Sequence, residues 1–74
     1  MYVVIELQTN SDGTIGNIVQ TAPTINQAQS IYHTVLAAAA ISNVPVHACS
    51  LLDNEGMQIA SECYHHGEVP NLHN

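Results

Sequence analysis

The feature that most constrains the fold of this chain is a change in the spacing of its apolar residues along the sequence. In the first strand-like segment Val3, Ile5 and Leu7 share one face, the alternation of a strand with one buried face. The other face of that segment carries Tyr2, Val4, Glu6 and Gln8. Residues 25–41 then repeat with helical spacing, and residues 44–64 return to strand-like spacing.

Turn-forming residues divide each strand-like region into a hairpin. Residues 9–14 contain Asp12-Gly13, which can supply the positive φ of a hairpin turn, and residues 15–21 form the returning strand. The second hairpin is predicted to turn through a four-residue loop at 53–56. A loop of that length pairs Leu52 with Met57 and His47 with Glu62.

A helix is predicted to follow Pro23. Thr24 and Gln27 form a capping box, in which the Thr24 hydroxyl meets a backbone N–H of the first turn and Gln27 reaches back. The helix runs to about Ile41. Its apolar stripe, which we expect to pack on a sheet, contains Ile25, Ala28, Tyr32, Val35, Leu36 and Ala39.

These elements predict an α+β fold of ββαββ order, with one helix packed on a four-stranded, mainly antiparallel sheet. Residues 1–64 form a single domain and residues 65–74 a C-terminal tail. A chain of 74 residues builds a core worth only about 3 to 5 kcal/mol, so we expect an oligomer. The sheet face without a helix is a candidate for dimer burial, and the strand edges could also pair between subunits.

The outward arc of the helix is a second candidate surface for self-association. It carries small or uncharged residues, namely Ser30, His33, Thr34, Ala37 and Ile41. Of these we select Ser30, His33, Ala37 and Ile41 as contact residues. The alternative is an exposed, alanine-rich helix favoured by helix propensity alone.

The charge balance argues against several functions. The chain contains no Lys or Arg and has a formal net charge of -6, so nucleic acids and anionic membranes should repel it. Six carboxylates are also few for a mimic of DNA. Only 8% of the residues are charged whereas 46% are hydrophobic, so part of the surface is expected to face another protein.

The helix start is the candidate ligand site. Backbone N–H groups near Thr24, Asn26 and Gln27 carry a partial positive charge that suits a small anion. The alternative is ordinary N-capping, which every helix needs.

Metal binding and catalysis are not supported by the sequence pattern. One predicted hairpin holds several metal-ligating residue types, namely His47, Cys49, Glu62, Cys63, His65 and His66. Strand alternation sends Glu62 and Cys63 to opposite faces, so four ligands converge poorly. Cys49 and Cys63 are interpreted as buried free thiols that act as small apolar residues. No nucleophile motif or phosphate loop occurs, and we expect no enzyme, cofactor or metal. A metal-binding module remains a weaker alternative.

The overall pattern resembles a family of small uncharacterised proteins encoded by phages and prophages of gut Firmicutes. The resemblance rests on MYVVIELQTNSDGTIGNIV, the helix ending YHTVLAAAAIS, VPVHACSLLDNEG and SECYHH, and it spans nearly the whole chain. This sequence departs from that family by having no Lys or Arg. Any basic binding site of the relatives would therefore be absent here.

The resemblance implies a viral role without fixing it. The first hypothesis is a homo-oligomeric protein that sequesters a partner, either a host immune signalling nucleotide or a host or phage protein. The alternative is an accessory protein of virion or tail assembly, or a self-assembling structural subunit. The N-terminal segment has no basic region or cleavage-site pattern, so the expected location is the cytoplasm of a host bacterial cell or the virion.

Overall fold

The computed structural model describes residues 1–66, and residues 67–74 of the predicted tail lie outside this part. The described residues form one helix and four strands: β1 (Tyr2–Thr9), β2 (Ile15–Ala22), α1 (Ile25–Ala40), β3 (Val46–Leu52) and β4 (Gln58–His65). The predicted α+β fold and its ββαββ order are confirmed.

The strands form one antiparallel sheet in the order β2-β1-β3-β4. β1 and β3 are therefore central, while β2 and β4 are the edges, and α1 carries the chain from β2 across β1 to β3. Both hairpin turns contain a glycine at positive φ, Gly13 at 91° and Gly56 at 82°. Glycine adopts this backbone conformation without the steric cost that a Cβ atom would add.

The predicted register of the second hairpin is wrong. Asp53 N–H donates to the carbonyl oxygen of Met57 at 2.9 Å, so these two residues close the turn. The Asp53 carboxylate also accepts the N–H groups of Glu55 and Met57, at 2.8 and 2.9 Å. Leu52 consequently pairs with Gln58, and an irregularity between Leu51 and Leu52 shifts the remaining pairs.

Because of this shift, residues of β3 face different residues of β4 from those predicted. His47 lies opposite Tyr64 instead of Glu62, and Glu62 lies opposite Cys49. The physical reason is that the loop is one residue shorter than predicted, because Asp53 and not Leu52 lies opposite Met57. The bulge between Leu51 and Leu52 then adds a second one-residue shift to the remaining pairs.

The helix begins as the sequence predicts. The Thr24 hydroxyl accepts the N–H of Gln27 at 3.2 Å and lies 3.3 Å from the Gln27 side-chain oxygen, to which it can donate. The Gln27 side chain thus reaches the Thr24 hydroxyl. At the other end the N–H of Ile41 caps the helix by donating to Ala38 O.

The core lies between α1 and one face of the sheet. Leu51, Val4 and Cys49 are the largest fully buried side chains, and Ala28 and Tyr32 of the helix pack on them. The other members of the predicted apolar stripe of the helix are also buried or partly buried: Ile25, Val35, Leu36 and Ala39. The helix covers the face of β1 that carries Val4 and Glu6, and leaves the face of Val3, Ile5 and Leu7 open.

Candidate functional site

A groove of about 420 Å³ opens where β2 ends and α1 begins. It is lined by Thr21, Ala22, Pro23, Gln27, Ser30 and Ile31. Gln27 was predicted as a ligand-binding residue and Ser30 as a self-association residue, and the fold brings both to this groove. Thr24 and Asn26, the other predicted ligand residues, are exposed at the helix start but are not part of the lining.

The groove combines uncharged polar groups with an apolar wall. The hydroxyls of Thr21 and Ser30 and the amide of Gln27 can each donate or accept a hydrogen bond. Ala22 and Ile31 supply the apolar part. No carboxylate belongs to the lining, and the first turn of α1 carries no acidic residue. The positive end of the helix dipole is therefore not neutralised by a neighbouring acid.

Every residue of the predicted outward arc is exposed. Ile41 is 86% exposed, and Ser30, His33, Thr34 and Ala37 share this exposed face. The Thr34 hydroxyl donates to Ser30 O within the helix at 2.8 Å, and the His33 ring contacts the edge of the Tyr32 ring. Ile41 is the single large apolar side chain among these five, so the arc offers little apolar area to a partner.

A buried pair of ionisable residues, which sequence reasoning missed, lies on the helix side of the sheet. Glu6 is 6% exposed and His47 is 3% exposed. His47 Nδ1 lies 2.7 Å from Glu6 Oε2, and the Gln8 amide donates to Glu6 Oε1 at 3.2 Å. The available signal was the alternation of β1, which sets Glu6 on the same face as Val4. Its partner could be found only by knowing that β1 lies beside β3.

His66 and Tyr64 border this pair at the C-terminal end of the helix. The His66 ring lies 6.1 Å from the Tyr64 ring in a parallel stack and 6.0 Å from the His47 ring. His66 Nε2 donates to Ala39 O, and the backbone N–H of His66 donates to Pro45 O, both at 2.6 Å. His66 thus ties β4 to the helix end, where the dipole favours a cation.

A buried thiol lies close to this cluster. Cys49 is the nearby thiol on the same face of β3, and burial, with a smaller contribution from the Glu6 charge, raises its pKa to about 11. Cys49 is therefore a protonated thiol at neutral pH, which is a weak nucleophile. Within residues 1–66, His47 Nε2 is a buried nitrogen without a hydrogen-bond partner.

The residues considered as metal ligands are separated by the sheet. His47, Cys49 and Glu62 belong to the helix side, whereas Cys63 and His65 lie on the other side, with Cys63 Sγ 3.3 Å from His65 Nε2. Cys49 is buried as predicted, but the prediction is wrong for Cys63, which is exposed because it lies on the edge strand β4, on the face that α1 does not cover. Among residues 1–66, no three side chains of His, Cys, Asp or Glu are arranged to hold a metal ion.

Over the same described residues, no helix combines the length and apolar character needed to cross a lipid bilayer. Comparison with protein-family models, with curated proteins and with solved structures finds no match to this chain.

Proposed function

We propose that this protein is a non-enzymatic, homo-oligomeric binding protein of phage origin that acts by sequestration. Its ligand class is a small host molecule, with an immune signalling nucleotide as the leading example. The observation that carries the proposal is the groove between the end of β2 and the start of α1. It is shallow and open to solvent on its outer side, with a volume of about 420 Å³.

The lining of the groove suits a small polar or anionic ligand. Gln27, Ser30 and Thr21 offer uncharged hydrogen-bonding groups, and the absence of carboxylates from the lining removes local repulsion of an anion. Since the chain has no Lys or Arg, recognition of phosphate would depend on these groups and on the helix dipole. Ala22 and Ile31 provide an apolar surface for a base or other flat group.

The position of the groove favours an oligomer. It lies at β2, an edge strand of the sheet, and it is open on its outer side. A second protomer could close it and remove more of the ligand from water. A small-molecule site usually buries most of the surface of its ligand. A single protomer of 74 residues is too small to bury that much ligand surface easily.

Sequestration without turnover agrees with the burial of Glu6, His47 and Cys49. The exposed thiol, Cys63, lies 3.3 Å from His65 on the edge strand β4, outside the groove. Glu6 and His47 are each less than one-tenth exposed, so a substrate cannot reach them in this conformation. The neutral Cys49 thiol is buried as well. A nucleophile, a base and an orienting group exposed in one cleft would be needed for covalent catalysis.

The test is native mass spectrometry of the untagged protein from bacteria with and without an active nucleotide-signalling defence system. We expect a closed oligomer that carries a small extra mass only when signalling is active. Gln27→Ala, which removes a lining amide, should lose that mass, whereas Gln29→Ala, an exposed neighbour outside the groove, should keep it. Oligomers without extra mass in both strains would refute sequestration of such a ligand.

A second candidate function is self-assembly as a structural subunit or an accessory of virion assembly. The edge strand β2 favours it, because its eight residues contain no charge and no proline, and all but Ala22 are exposed. Such an edge lacks the usual protection against pairing with another strand. Electron microscopy at high protein concentration should then show open polymers. Discrete small oligomers at all concentrations would contradict this alternative.

A further inference from the structure

The sheet face opposite α1 is the most apolar surface of the described fold. Its centre consists of six aliphatic residues in neighbouring positions on β1, β2 and β3: Val3, Ile5, Leu7, Ile15, Val19 and Leu52. Exposure of these side chains reaches 44% for Leu7, 56% for Val19 and 66% for Ile15. We call this surface the open face.

The edge of the open face is polar. On β4 it carries Ser61, Cys63 and His65, and on β2 Asn17 and Thr21 flank the aliphatic residues. An aliphatic centre with an uncharged polar rim is the usual composition of a protein interface. On soluble proteins, a large exposed apolar patch with a polar rim usually marks an interaction site.

Within residues 1–66, no carboxylate lies on the open face. Glu6 and Glu62 both lie opposite Cys49 and so belong to the helix side. The other three acids of residues 1–66 occupy the turns beyond the strand ends: Asp12, Asp53 and Glu55. For a chain with a net charge of -6, this is the face through which two copies can approach with the least repulsion.

The protomer covers the less apolar side of its sheet. The helix side includes Glu6 and His47, which need each other as partners when buried, while no helix of residues 1–66 packs on the aliphatic side. The aliphatic side chains of the open face therefore stay accessible to water, although their burial would stabilise the protein. A partner that covers the open face would gain that contribution.

The size of the open face meets the requirement of a stable dimer. Four strands about 4.8 Å apart and eight residues at about 3.3 Å each give a footprint of about 19 by 26 Å. Two such faces bury at least about 1,000 Å² in total, which is the lower limit for a specific interface. The outward arc of α1, with Ile41 as its single large apolar side chain, does not offer this area.

We propose that a second copy of this chain covers the open face, so that two sheets pack face to face in an α/β/β/α sandwich. Sheets packed in this way lie about 10 Å apart with interdigitated side chains. This interface is the one through which the homo-oligomer of the proposed function would form. It rests on the proposed homo-oligomer and not on the proposed ligand. It replaces the helix arc with the open face as the principal self-association surface.

The test is sedimentation velocity of wild-type protein and four variants over a wide concentration range. Val19→Glu places a charge on the open face, while Gln20→Glu places the same charge on the neighbouring residue of β2, which points to the helix side and is exposed. Ala37→Glu adds it to the helix arc. Circular dichroism checks that each variant keeps its fold, and Asn17→Asp is a near-isosteric second change on the open face.

We expect Val19→Glu to weaken the dimer about 100-fold or more, because two-fold symmetry buries two unpaired carboxylates. Asn17→Asp should weaken it in the same direction, and Gln20→Glu and Ala37→Glu should leave it within about threefold. A monomeric wild-type protein would overturn this interface and the oligomer together. A dimer that is weakened by Ala37→Glu but not by Val19→Glu would overturn the proposed interface and leave the proposed oligomer in place. Native mass spectra that still show the extra mass of the ligand would then show that the binding function is unaffected.

Discussion

The buried Glu6–His47 pair allows a prediction with a defined sign. The changes are Glu6→Leu, His47→Leu and the double variant, compared by urea unfolding at one fixed protein concentration. Glu6→Leu removes the acceptor of the 2.7 Å contact and leaves both ring nitrogens of His47 without a partner. Since a buried donor without a partner costs about 1 to 3 kcal/mol, we expect a loss of that size.

His47→Leu should cost more than Glu6→Leu. It leaves a carboxylate that is 6% exposed, with Gln8 as its remaining neutral donor. Breaking a buried ionic pair from one side costs about 3 to 5 kcal/mol. The double variant leaves neither partner behind and places two aliphatic side chains on the helix side of the sheet, where Glu6 lies opposite the buried Cys49. We therefore expect it to be at least about 1 kcal/mol more stable than His47→Leu.

The matched control is the cycle of Glu6→Leu with His33→Leu, since His33 is exposed on the outer side of α1. That cycle should be additive within about 0.5 kcal/mol. If a single variant unfolds in buffer, all variants are compared in sucrose, which strengthens apolar burial. A double variant no more stable than the less stable single variant would refute the view that the pair is retained because each residue satisfies the other.

Two further predictions concern single groups. Burial raises the pKa of the Cys49 thiol from 9.0 to about 11, so between these pH values the folded state keeps a proton that the unfolded state loses. The protonated thiol therefore contributes stability on the order of 2 kcal/mol. This contribution is complete below pH about 9 and is lost as the pH rises towards 11. Urea unfolding should show this loss, and Cys49→Ala should reduce it. Thr24→Ala removes the N-cap and should lower the melting temperature by about 4 to 8 °C, corresponding to about 1 kcal/mol, while Thr34→Ala should not lower it.

The candidate site was only partly predictable. Capping by Thr24 is a local interaction over three residues, so the sequence is enough to predict it and to bring Gln27 into consideration. The groove also needs Thr21 and Ala22 of β2 beside Ser30 and Ile31 of the helix. That neighbourhood depends on the angle at which the helix leaves the sheet, which local periodicity does not specify.

By itself the sequence determined the order of the five elements and the buried stripe of α1, because these follow from repeats of 2 and 3.6 residues and from side chains that meet their own backbone. Alternation says that β1 has two faces but does not say which one the helix covers. Only the tertiary structure decided that Val4 and Glu6 are covered and that Glu6 meets His47, 41 residues away. It did so because β1 pairs with β3 across the helical connection, and such a long-range contact forms through the packing of the whole chain.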